Sequence, residues 1–244
     1  MLYHFASIQL SAPQFVKLRF SNSSYLALAF VSFALASCVQ FDTSKSKTFV
    51  DNHNFYLMSD DSVAVVLERL YYSDQNVREQ IERSSNSDLG FLISELIRTD
   101  SANLNCLEKI LSKYGYPRRS KVGDTAAYGA FFVIQHNPGL IMEKYIDTIE
   151  ALALIGEAES THAAMMRDRL LMFQNQPQIY GTQAASNLDS NDPHRLYIWP
   201  VSNPDSVDEY RARAGFETSI RERADELGAE YDPLLRISQL EGSH

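Results

Sequence analysis

Cysteine, positive charge and long apolar runs are all scarce in this chain, and each shortage excludes something. Cys38 and Cys106 are the only two cysteines in 244 residues. Lys and Arg number 22 against 31 Asp and Glu, a net charge of −9. An acidic chain repels phosphate backbones, so no nucleic-acid partner is expected. Common chemical signatures are missing as well. There is no zinc-type Cys/His spacing, no glycine-rich phosphate loop and no Gly-x-Ser-x-Gly turn. No metal and no cofactor are therefore expected. The apolar run at residues 25–35 is 11 residues long, whereas a bilayer core needs about 20. It is too short for a transmembrane helix.

That short run has another use. It follows Lys17 and Arg19 and closes on Leu35-Ala36-Ser37-Cys38. A positive flank, a short apolar core, small residues and then cysteine read as a bacterial lipoprotein signal. On this reading residues 1–37 are removed and Cys38 carries palmitate-type acyl chains. Residues 38–58 are a lipidated tether, 59–230 a single mainly helical domain and 231–244 a flexible tail. Several acyl chains, at about 0.8 kcal/mol per buried methylene, make a stable membrane anchor. Val39 in place of Asp favours the outer over the inner membrane of the cell envelope. The alternative is an ordinary secretory signal in which Cys38 is incidental. Acylation of Cys38 would leave Cys106 alone, so no intramolecular disulfide could form. Cys106 lies among Leu104, Leu107, Ile110 and Leu111 and reads as a buried thiol. Removal of Lys17 and Arg19 takes the charge from −9 to −11 on 207 residues, enough chain for a sizeable core.

Periodicity after residue 58 is helical. Residues 60–72 place Val63, Val66, Leu67 and Leu70 on one face, and Asp74 reads as the cap of a second helix ending at Arg83. Helices are predicted at 89–98, 102–114, 124–136, 140–155 and 160–174, with breaks at Gly115, Pro117 and Asn137-Pro138-Gly139. Residues 178–183 and 196–201 read as a two-stranded β-ribbon joined by a long polar loop. Helices at 205–214 and 219–227 close the fold. The class is mainly α: a helical core domain with a small ribbon.

Three places put polar groups where apolar ones are expected. On the helix at 160–174, Arg169 falls near the middle of an arc formed by Met165, Met166, Leu170, Met172 and Phe173, and Asp168 lies at its edge. A buried arginine keeps its proton and needs an anion or several acceptors. The partner is either an internal carboxylate or an anionic group on a ligand. The helix at 124–136 is apolar nearly all round, as a central helix would be, yet Asp124, Tyr128 and Gln135 form a stripe about 16 Å long. His136 sits in its last turn, either as a helix-end residue or as a base. Gln178, Tyr180, Gly181, Thr182 and Gln183 offer donors and acceptors but no strong nucleophile, a composition suited to ligand recognition.

Ile134-Gln135-His136, then Asp168-Arg169, then Gln178-Ile179-Tyr180-Gly181-Thr182-Gln183, in that order, resemble a bacterial family of unknown function, the domain-of-unknown-function 6624 family. Asp74-Gln75 with Arg78, Tyr116-Pro117, Val122-Gly123, and Val207-Asp208 with Arg211, Arg213 and Gly215 add to the resemblance, which covers roughly residues 60–216. His162, Asp189 and Asp192 match no motif of that family. The family implies no reaction. Two functions are therefore carried forward. In one, Gln135, Gln178, Tyr180, Gly181, Thr182 and Gln183 bind a small molecule or an envelope protein. In the other, His136, oriented by Asp168, is the acid or base of a hydrolase or group-transfer enzyme, with Arg169 holding an anionic envelope metabolite.

Overall fold

The computed structural model describes residues 58–84, 88–186 and 195–240, together with a two-residue strand, β1 (Phe5–Ala6). The signal-like segment apart from that strand, Cys38, the tether up to residue 57, Asp189, Asp192 and residues 241–244 lie outside the described residues. The protein is mainly α. Its described residues divide into two compact units, one up to Ala163 and one from Ala164 onward, the latter with β1.

The first unit is helical. It contains α1 (Asp60–Arg83), α2 (Leu89–Tyr114), the single turn α3 (Arg119–Val122), α4 (Asp124–Gln135) and α5 (Gly139–Leu154). Ser59 caps α1 by accepting from the Ser62 amide, and Asp60 and Asp61 favour its positive end. Gly115, at φ 73°, ends α2, and Gly123, at φ 82°, turns the chain into α4. Of α4, Ala126, Ala127 and every residue from Gly129 to Gln135 are buried, which makes it the central helix. It approaches α1 closely at Gly129, where an added Cβ would lie 2.2 Å from the Leu67 carbonyl oxygen.

Two expected breaks do not occur. Asp74 caps nothing; it lies inside the continuous helix α1 and is buried. Thr99, Asp100 and Ser101 likewise lie inside α2. Both interruptions in the apolar pattern are polar residues set into a helix and not gaps between helices.

Helix α6 (Ser160–Phe173) carries the chain into the second unit. There β2 (Ala184–Ser186) pairs antiparallel with β3 (Leu196–Ile198), with Ala184 opposite Ile198 and Ser186 opposite Leu196. The pair gains β1 antiparallel on one side and β4 (Ala229–Glu230) parallel on the other. Helices α7 (Val207–Arg213) and α8 (Ile220–Leu227) follow β3, and α8 starts with a Ser219–Glu222 capping box. Alternation along the strands feeds two clusters. Ala184 and Ile198 pack with Val207, Ile220, Ala224 and Leu227. Ala185 packs with Met172, Trp199 and Leu240. Leu240, in a stretch read from the sequence as a loose tail, is thus fully buried.

The ribbon's first strand is not where the sequence placed it. Residues 178–183 form a loop with a single bridge, Gln178 to Val201, and the strand begins at Ala184. The alternating β-formers Ile179, Tyr180 and Thr182 point to a strand, but their amides are taken by a side chain instead of a neighbouring strand.

Candidate functional site

In the helical unit three helices each bring polar groups into an otherwise apolar row. The buried row of α1 runs Val63, Val66, Leu67, Leu70, Asp74, Ile81. That of α2 runs Leu92, Leu96, then Thr99, Asp100 and Asn103, then Cys106, Leu107, Ile110 and Leu111. Helix α4 ends on buried Gln135, with His136 as its C-cap.

These groups interlock. Nδ1 of His136 lies 2.9 Å from Oδ1 of Asp74. Gln75 Nε2 donates to Oδ2 of Asp74 at 2.7 Å. Arg78 Nη2 donates to both Asp100 oxygens at 3.1 and 3.2 Å and lies 3.6 Å from Asp74 Oδ1. The His136 ring stacks on Phe132, with 5.9 Å between centroids and 11° between planes. Burial pushes the Asp74 carboxyl upward, but the facing His136 and Arg78 charges and the His136 and Gln75 hydrogen bonds outweigh it and hold the group below its ordinary value.

The arrangement has a definite chemistry. A histidine whose Nδ1–H is given to a carboxylate has its tautomer and orientation fixed, with Nε2 as the basic nitrogen. Three atoms on these helices are buried without a hydrogen-bond partner: Arg78 Nη1, Asn103 Nδ2 and Gln135 Oε1. Asn103 is one helical turn from Asp100, which Arg78 grips, and Gln135 precedes His136.

The second unit holds the other predicted residues; there Asp168, Gln178, Thr182 and Gln183 satisfy one another, while Ser186 Oγ and the Tyr231 hydroxyl are buried without a hydrogen-bond partner. The Asp168 carboxylate, 0 % exposed, accepts the amides of Ile179 at 2.8 Å, Tyr180 at 3.0 Å and Thr182 at 3.0 Å, and the Thr182 hydroxyl at 3.0 Å. Burial pushes this carboxyl up to about 6 against the pull of those donors. Gln178 spans the base of the loop. Its Nε2 donates to the carbonyls of Gln183 and Trp199, and its Oε1 accepts the Gln183 amide. Gln183 Nε2 donates to Thr182 Oγ1. Gly181 adopts φ 68°, and a Cβ there would sit 2.4 Å from Ile220 Cδ1. Arg211 closes the loop from α7, donating to the Tyr180 carbonyl at 2.9 Å and, through Nε, to the Thr218 carbonyl at 2.8 Å.

Two expectations are corrected. The carboxylate on His136 is Asp74 and not Asp168, whose oxygens are occupied by the loop amides. Asp168, placed at the edge of its helix's apolar arc, is fully buried, whereas Arg169, placed at the centre, is half-buried, its guanidinium carbon 6.0 Å from the Phe173 ring centre. Gln178, Tyr180, Gly181, Thr182 and Gln183 stand together on one loop, which the Gln178 and Gln183 side chains close by hydrogen bonds. Gln135 and His136 belong to the first unit, and Asp168, Arg169 and the loop to the second.

Sequence reading missed Asp74, Arg78, Asp100 and Asn103 as site residues. Asp74, Gln75 and Arg78 stand in the sequence as supporting family matches only; the signal that places them inward is the row itself, since the spacing of Val63, Leu67 and Leu70 continues through Asp74 to Ile81. Among the described residues no group of three His, Cys, Asp or Glu side chains is placed to hold a metal ion, and no helix is long and apolar enough to cross a membrane.

Residues 63–231 match the model of a family of unknown function (DUF6624), and the chain belongs to that family. No curated protein and no solved structure matches it.

Proposed function

We propose that this member of the family is a lipid-anchored protein of the bacterial cell envelope whose helical unit binds a small polar ligand at the Asp74, Arg78, Asp100 and His136 cluster. The observation that carries the reading is the set of three buried atoms without partners, Arg78 Nη1, Asn103 Nδ2 and Gln135 Oε1. Each such atom costs about 1–3 kcal/mol if nothing meets it. Buried polar groups are otherwise paired almost without exception. Helix rows that keep polar residues at this cost serve something other than stability.

The first test is thermodynamic. Gln135→Met removes an orphaned acceptor and keeps the volume. The expected outcome is an unchanged or higher stability, by about 0.5–2 kcal/mol, in urea unfolding. A loss above about 1 kcal/mol would return Gln135 to the scaffold. The anchor is tested separately. Cys38→Ala should abolish palmitate labelling and move the protein from the membrane pellet to the soluble fraction. Continued sedimentation of that variant with the membrane would sink the lipoprotein reading.

A second reading rests on the His136–Asp74 hydrogen bond. With Asp74 holding Nδ1–H, His136 has the form of a general acid or base for hydrolysis or group transfer. Asp74→Asn should then shift the His136 tautomer equilibrium, visible in the ring ¹⁵N shifts. An unchanged tautomer would remove the basis for acid–base chemistry.

A further inference from the structure

We infer that the ligand of this site is neutral and presents a hydrogen-bond acceptor beside a donor, the pattern of a carboxamide or of adjacent hydroxyls, and is not an anion. The inference rests on the binding reading above and asks what chemistry the cluster leaves unmet.

Charge is the first consideration. Arg78 already grips Asp100 through two hydrogen bonds and lies 3.6 Å from Asp74. Asp74 is held by His136 and Gln75. Each positive group therefore faces a carboxylate, and the charges of Asp74, Arg78, Asp100 and His136 sum to zero with His136 protonated and to −1 without its proton. An incoming anion would find two carboxylates, Asp74 and Asp100, and no unanswered positive charge. Desolvating that anion would have no compensating ion pair.

Hydrogen-bond valence is the second consideration, and it specifies the ligand. Two donors, Arg78 Nη1 and Asn103 Nδ2, and one acceptor, Gln135 Oε1, have no partner. Asn103 and Gln135 are 5 % and 3 % exposed, so solvent does not satisfy them from outside. A carbonyl or hydroxyl oxygen can accept from the two donors, while an adjacent N–H or O–H donates to Gln135. Gln75, Arg78 and His136 are half-buried members of the cluster. Water has the same donor and acceptor character, so the test must separate a ligand from a trapped solvent molecule.

The experiment titrates the full chain with five probes, acetamide, glycerol, N-acetylglucosamine, acetate and inorganic phosphate. The side-chain amide resonances of Asn103 and Gln135 are followed by NMR. The expected result is a saturable shift of both resonances with a neutral probe, at least tenfold tighter than with acetate or phosphate, and lost in Asn103→Leu. Should that variant not fold, the near-isosteric Asn103→Asp, which replaces the donor by an acceptor, serves instead. Acetamide against glycerol separates an amide from a diol. Tightest binding of acetate or phosphate at the same resonances overturns the neutral ligand and leaves the binding site standing. If no probe saturates either resonance, the atoms are met by water only, and both the inference and the binding reading fall.

Discussion

Asp168 and Arg211 are both buried, at 0 % and 1 % exposure, and neither forms a direct ion pair with the other. They meet through one residue of the loop. Tyr180 gives its amide N–H to Asp168 at 3.0 Å and receives Arg211 Nη1 on its carbonyl at 2.9 Å. The Arg211 guanidinium also lies 4.7 Å from the centre of the Phe216 ring and donates to the Thr218 hydroxyl at 3.0 Å. Two buried charges thus polarise the same stretch of backbone from opposite sides, which strengthens both hydrogen bonds. This makes the Tyr-Gly-Thr-Gln string an architectural element. Asp168→Asn replaces one accepting oxygen by an N–H₂ group that faces N–H and O–H donors, and should cost about 3 kcal/mol. Arg211→Met leaves carbonyls unmet and should cost a similar amount. Coupling through Tyr180 makes the pair non-additive by about 1–2 kcal/mol in a double-mutant cycle read by urea unfolding. Strict additivity would mean the two charges act on the loop independently.

At the level of elements, the contact between α1 and α4 depends on Gly129. A methyl group there would lie 2.2 Å from the Leu67 carbonyl oxygen and 3.2 Å from the Tyr71 amide nitrogen. Both are backbone atoms that cannot rotate away. Gly129→Ala gains up to about 1 kcal/mol of helix propensity, yet it must force the helices apart, a distortion that costs about 1–3 kcal/mol. The expected outcome is a net loss of stability together with a perturbed His136 ring signal, because α1 carries Asp74 and His136 caps α4. A stabilised variant would show that the helices separate freely. The helices themselves were legible, because apolar spacing, Ser59, Ser219 and the glycines at 115 and 123 fix where they start and stop. Their continuity was not. Asp74 and the Thr99-Asp100-Ser101 stretch interrupt the apolar pattern as a cap or loop would, and only packing between helices reveals Asp74, Thr99 and Asp100 as buried members of their helices' rows. The loop at 178–183 misled for a related reason. Its residue types favour a strand, and the carboxylate that takes its amides lies 11 to 14 residues earlier on α6. Of the candidate site, Gln135 and His136 were visible in the sequence because they close an apolar helix; Asp74 and Arg78 were visible only as family matches, and their burial beside His136 and Asp100 was masked by the same pattern that hid the helix continuity.

Across the molecule, two titrations of opposite sign distinguish the units. His162, in the first turn of α6, stacks on Phe131 at 4.1 Å and 6° and meets the edge of Tyr128 at 4.8 Å. Burial, and secondarily the Arg119 charge, hold its pKa down to about 3. The unfolded chain therefore takes up a proton near pH 6.5 that the folded ring refuses, and stability falls with acidification by about 1.4 kcal/mol per pH unit below that point. Asp168 behaves in the opposite sense. Its folded value is raised to about 6, so its contribution is complete below the ordinary carboxylate range near 4 and is lost as pH rises to 6. Hydrogen exchange between pH 6 and 4, corrected for intrinsic rates, reads the two separately. Protection of the α4 amides should fall about tenfold per unit of acidification, and protection of the 179, 180 and 182 amides should rise by a similar factor. His162→Phe keeps the aromatic stacking and has no proton to gain, so it should flatten the first slope and leave the second untouched. If the α4 slope survives in that variant, the acid sensitivity of the helical unit comes from another group. The downward-shifted Asp74 at the proposed site would be the first to examine, because its stabilising contribution is also lost as pH falls.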